Sequence, residues 1–111
     1  MALKSKWQSV VGYTWKFDIV VDEVHKSENG GKLGIAWDSK KDGDGVYRHC
    51  INRIPADLPV GLNGRLQIGD ELLQVNDTEL YSLTNDEVQD IIRGLPLIVR
   101  IICARQVSCI S

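Results

Sequence analysis

The run Lys32-Leu33-Gly34-Ile35-Ala36-Trp37 is where residue type and spacing first suggest chemistry. A glycine between apolar neighbours takes an unusual φ at little cost, so a loop there can turn its backbone amides outward and pass directly into a strand. Outward amides form a nest for an anion. The strand that follows can offer its free edge to an extended peptide, so nest and edge together make a receptor for a chain end: the nest takes the carboxylate and the edge takes the backbone. Taken alone, such a run is read more simply as a turn ahead of a strand.

Other reactive residue types carry less. His49 and Cys50 are adjacent, but neighbours on a strand point to opposite faces and are badly placed to share a proton. The pair reads as a surface histidine beside a buried cysteine. Asp42 and Asp44, in Lys-Lys-Asp-Gly-Asp-Gly, lack the bidentate glutamate that a calcium loop requires, which leaves a solvated turn between strands. Neither His25 nor His49 has a partner at metal-ligand spacing, and no nucleophile motif or phosphate loop is present. No catalytic residue, metal or cofactor is expected. Lys26 and Lys32 read as solvated lysines that can add positive charge near the proposed nest. Cys50, Cys103 and Cys109 are an odd count without metal spacing; they read as reduced thiols, with Cys50 and Cys103 packed inside apolar runs.

A chain of 111 residues is one domain able to hold its own core without disulfide or metal. A net charge of −2 with both signs interspersed gives no basic field for nucleic acid and no polybasic segment for a membrane surface. No apolar run reaches a membrane span, and the first residues lack a signal-peptide core, so no membrane insertion and a cytosolic location are expected.

The elements that must position these residues follow from pattern. Residues 1–14 read as an N-terminal extension, with Trp7 available to dock on the domain. Trp15, Phe17, Ile19 and Val21 alternate in a first strand from Trp15 to Val24. After a polar loop ending in Asn-Gly-Gly, a short second strand covers Ile35 to Ser39 and a third Val46 to Asn52. Two prolines exclude a helix from the middle of the link Arg53 to Pro59, while Pro59 to Asn63 can make one helical turn. Gly64 can close that turn, Gly69 makes a corner before the next strand, and Asp70 can accept from amides left free there. Leu73 and Val75 then alternate inward, and Asn76-Asp77 reverses the chain into a short strand at Thr78 to Leu80. Thr84 with Glu87 has capping-box spacing, and Val88, Ile91, Ile92 and Leu95 share one helical face before Gly94 and Pro96 stop the helix. A β-branched last strand runs from Leu97 to Arg105, followed by a tail, residues 106–111.

These elements, with the glycine loop ahead of strand two, resemble a PDZ domain over residues 15–105. Lys32-Leu33-Gly34-Ile35 is similar to that family's carboxylate-binding loop. Gly64-Arg65-Leu66 with Gly69-Asp70-Glu71-Leu72-Leu73-Gln74-Val75-Asn76 is similar to its most recognisable block, and Leu83-Thr84-Asn85-Asp86-Glu87-Val88 falls at its ligand-facing helix. The resemblance implies an α+β fold: a small, partly open antiparallel β-barrel or sandwich of five to six strands with two helices.

It also implies a non-catalytic module that binds free carboxy-terminal tails by strand addition between strand two and the second helix. The carboxylate would lie at Lys32, Leu33, Gly34 and Ile35, and the groove would be made by Ala36, Trp37, Asp38, Ser39, Asn85, Val88, Gln89 and Ile92. Asn85 stands where the best-known class carries histidine, which implies only modest selectivity for serine or threonine two residues before the ligand's end. Gln89 and Trp37 imply a restricted terminal pocket, favouring valine, leucine or isoleucine. Implied partners are tails of membrane receptors, channels or adhesion proteins, and the implied role is that of a largely monomeric, membrane-proximal cytoplasmic scaffold in signalling or at cell junctions. The alternatives are a regulatory domain cut from a protease or kinase, and a dimerisation module that uses its strand edges.

Overall fold

A computed structural model describes residues 17–26, 34–41, 46–56 and 65–106. The expected N-terminal extension, the helical turn at Pro59 to Asn63, Gly64, the Asp42/Asp44 turn, Cys109 and the tail from residue 107 lie outside the described residues. Those described form β1 (Phe17–His25), β2 (Ala36–Lys41), β3 (Tyr47–Arg53), β4 (Glu71–Val75), β5 (Thr78–Glu79), α1 (Asn85–Arg93) and β6 (Ile98–Gln106). One antiparallel sheet runs β1-β6-β4-β3-β2, with β5 hairpinned onto β4. It is not closed: β1 and β2 are its two ends. The expected α+β class stands, with six strands and one helix among the described residues.

The β-branched sequence of β6 fits its place inside the sheet. It pairs with β1 from Phe17 opposite Gln106 to His25 opposite Ile98, and with β4 on its other side. Both its edges are therefore paired, and its two faces are covered by different clusters where Ile101, Ile102, Cys103 and Ala104 follow one another, all buried. Strict alternation fails at β4. A bulge between Leu72 and Gln74 puts Leu72 and Val75 into the cluster beneath α1, with Val24, Ile51, Leu80, Val88 and Ile101. Leu73 belongs instead to a second cluster with Phe17, Ile102 and Ala104. Leu73 and Val75 thus do not share one inward face as the period-two reading expects; the inserted residue changes the parity between them.

Local polar chemistry sets the corners. Gly69 has φ +97°, and a Cβ there would touch nothing within 4 Å, so the conformation rather than crowding requires glycine. The Asp70 carboxylate accepts from the Gln67 amide at 2.9 Å and takes two bonds from the Arg105 guanidinium, each 2.9 Å, which ties the corner to the end of β6. Asn76 has φ +48°, as a two-residue hairpin turn demands, and its side-chain oxygen accepts from Arg100 N at 2.8 Å.

The helix begins as its spacing predicts. Thr84 Oγ1 accepts from Glu87 N at 3.3 Å, and Glu87 Oε1 accepts from Thr84 N at 3.0 Å, the reciprocal capping box. The Thr84 backbone N–H holds the Glu87 carboxyl below its ordinary pKa. Val88 is fully buried, and Ile91, Ile92 and Leu95 pack on the same cluster. At the other end Gly94 stays in the right-handed region at φ −87° and makes no left-handed cap. Gly94 N donates to Asp90 O and Ile91 O, and Leu95 N to Ile92 O; Lys26, immediately after β1, adds bonds from Nζ to Ile92 O at 3.2 Å and Leu95 O at 2.8 Å. Lys26 is only 7% exposed, so the expected solvated lysine is a buried helix clamp.

Candidate functional site

Gly34 leads into β2 with φ +89°, a backbone state that L side chains avoid, and it is buried. Ile35 follows, then a strand whose exposure alternates. Ile35, Trp37 and Ser39 are half-buried on one face, whereas Ala36, Asp38 and Lys40 are exposed on the other. Of the residues expected in the groove, Ala36 and Asp38 therefore have their side chains on the outer face. Lys32 and Leu33 lie outside the described residues.

Among the described residues β2 pairs with β3 alone, leaving its second edge open. The helix α1 faces that edge. Ile35 and Trp37 pack on the same cluster as Val88, Ile91 and Ile92, so strand and helix share one apolar floor. Trp37 also spans the gap, its indole Nε1 donating to Asn85 Oδ1 at 2.8 Å. Asn85, Gln89 and Ile92 remain half-buried on the helix. Val88, also expected in the groove, is at 0% exposure within the core cluster on which Ile35 and Trp37 pack.

The second polar contact of β2 corrects the reading of His49. This histidine is fully buried, while Cys50 is half-buried. The two do face oppositely, but with the parity reversed: period two places His49 on the inner face with Ile51, and Ile51 two residues on was the available signal. Leu80 O can only accept, so His49 Nε2 donates to it at 3.0 Å; Nδ1 then accepts from the Ser39 hydroxyl at 2.7 Å. Burial lowers the His49 pKa, opposed in part by the backbone bonds to Leu80 and Leu83. Ser39, expected in the groove, is thereby engaged with the strand beside it.

Neither described thiol is poised for chemistry. Burial raises the Cys50 pKa, helped by the Glu71 carboxylate, and burial raises that of fully enclosed Cys103 well above the ordinary thiol range. No group of His, Cys, Asp or Glu among the described residues could hold a metal ion, and no helix there is long and apolar enough to cross a membrane. Sequence reasoning missed three contacts: the Trp37–Asn85 bridge, the Ser39–His49–Leu80 relay and the Lys26 clamp. The first and the last join residues far apart in the chain, where periodicity carries no signal.

An open edge strand entered through a positive-φ glycine and faced by an amphipathic helix makes a protein-interaction module. The chain belongs to the PDZ domain family, whose pattern matches residues 23–102. It is similar to the Patj homolog of Drosophila melanogaster, at 40% identity over 104 residues, 90% of this chain and 12% of that protein. It is similar also to the Multiple PDZ domain protein of Homo sapiens, at 39% identity over 106 residues, 95% of this chain and 5% of that protein. The crystal structure of MUPP1 PDZ4 superposes with a TM-score of 0.78 at 34% identity, covering 96% of this chain and 91% of that one. The chain thus spans only a small part of the length of these two relatives.

Proposed function

We propose that this domain captures the free carboxy-terminal tails of other proteins by adding them as a strand to β2. The observation that carries this reading is the positive φ of Gly34 at the head of an open edge strand opposite α1. That conformation turns the adjoining amides outward, where they can compensate a carboxylate. From that anchor the tail runs antiparallel along β2, and its last side chain enters the space between Ile35 and Ile92. Lys32 and Leu33 complete the carboxylate loop in this reading. Ala36 and Asp38 contribute backbone, and Trp37, Asn85 and Gln89 border the groove.

The role is binding rather than catalysis. Partners are proteins with exposed tails, such as membrane receptors, channels or adhesion proteins, which gives the domain a membrane-proximal cytoplasmic place. One relative is named for carrying multiple PDZ domains, and the same role for this chain is as one module of a larger scaffold.

A screen against a library of free carboxy-terminal peptides tests the reading, with Gly34→Val as its control. Valine cannot adopt φ +89° without strain, so the variant should remain folded yet lose binding by about tenfold or more. A folded Gly34→Val protein that binds its selected peptide undiminished would contradict the assigned loop.

A further inference from the structure

The Trp37–Asn85 bridge fixes which half of the asparagine amide is offered to a ligand. An indole N–H is a donor and nothing else, so the atom of Asn85 that meets it at 2.8 Å must be the carbonyl oxygen. Turning the amide over would set donor against donor and lose the bond. The Nδ2 hydrogens are left on the other side of the amide, with no bond to any described residue, on a half-exposed side chain at the first turn of α1.

The ligand position that meets them follows from strand geometry. Ile35 and Trp37 share a face two residues apart, about 7 Å along the strand. A strand added to β2 repeats that spacing: its last side chain lies by Ile35, and its third-last by Trp37 and Asn85.

Resting on the tail-binding reading, we infer that Trp37 is a positioning residue that makes Asn85 a hydrogen-bond donor, so that the domain selects tails whose third-last residue carries an acceptor, aspartate foremost. An aspartate carboxylate takes the Nδ2 hydrogens in a charge-assisted bond, about twice as strong as a neutral one. A hydroxyl serves there only as an acceptor. A side chain that can only donate meets the hydrogens of the amide and is rejected. The dipole of α1 adds to the attraction for an anion, while the exposed Asp86 and Glu87 in its first turn oppose it. The directed hydrogen bond is what decides between acceptor and donor.

The test uses calorimetry on one free-acid peptide ending in valine, varied only at the third-last residue among alanine, leucine, aspartate and 2,4-diaminobutyrate, at two salt concentrations. The wild-type domain should bind the aspartate peptide about tenfold more tightly than the leucine peptide and discriminate most strongly against diaminobutyrate. Trp37→Phe keeps a ring over the floor but deletes the N–H, freeing the amide to turn. Its aspartate-to-diaminobutyrate ratio, in which any general loss of affinity cancels, should fall at least about threefold. An unchanged ratio in that variant, or a wild-type preference for leucine or diaminobutyrate, overturns the inference.

Failure of every peptide, alanine included, would overturn the tail-binding reading beneath it. As a second measurement on the wild-type protein, the Asn85 side-chain N–H resonances should shift on adding the aspartate peptide while the Trp37 indole proton stays protected. Loss of the indole protection instead would show that the bridge breaks on binding.

Discussion

His49 is kept neutral in the folded protein. Its ring lies at 0% exposure, and protonating Nδ1 would put a donor where the Ser39 hydroxyl now donates. Because burial lowers its pKa below 6.5, the unfolded chain binds a proton in a range of pH where the folded one does not. Stability therefore rises with pH there: the contribution is whole above about 6.5 and is lost progressively as pH falls toward the lowered folded value. Denaturant titrations between pH 7.5 and 5 should show this decline, and His49→Gln should flatten it. An equally steep decline in the variant would place the titration elsewhere. Such residues were poorly legible in the sequence. A histidine beside a cysteine gives no sign of which one turns inward until Ile51 fixes the parity of β3. Lys26 gives no sign at all, since the carbonyls it meets lie on Ile92 and Leu95, far along the chain.

Elements were more legible because the interactions that start and stop them are local. Thr84 and Glu87 lie three residues apart and bond each other's backbone, so the head of α1 could be read from a short window of sequence. Replacing Thr84 by alanine leaves the Glu87 amide without its cap and should lower stability by about 1 kcal/mol, seen as a lower denaturant midpoint. An unchanged midpoint would mean that tertiary packing alone holds the first turn. The same locality made Asn76-Asp77 and Gly69 readable as turns. The bulge in β4 was not: Leu72-Leu73-Gln74-Val75 is compatible with either parity, and only pairing with β6 decides which leucine joins which cluster. The candidate groove divides in the same way. Gly34 and the apolar face of α1 are local signals, whereas the Trp37–Asn85 contact exists only once strand and helix have docked.

At the scale of the molecule, the order β1-β6-β4-β3-β2 puts β6 and β4 inside the sheet and leaves β2 at an edge. Amide hydrogen exchange should be slowest in β4 and β6, each paired on both sides, and faster in β2, whose outward amides have no partner strand among the described residues. A bound tail should slow β2 selectively; protection appearing at β1 instead would move the binding edge to the other end of the sheet. The decisive measurement compares two peptides of identical sequence with an aliphatic last residue, one ending in a free carboxylate and the other in an amide, by calorimetry on the wild-type domain. If the amides beside Gly34 take the carboxylate, as proposed, the acid should bind at least about tenfold more tightly, a difference of about 1.4 kcal/mol. Equal affinity of the two would contradict capture of a chain end.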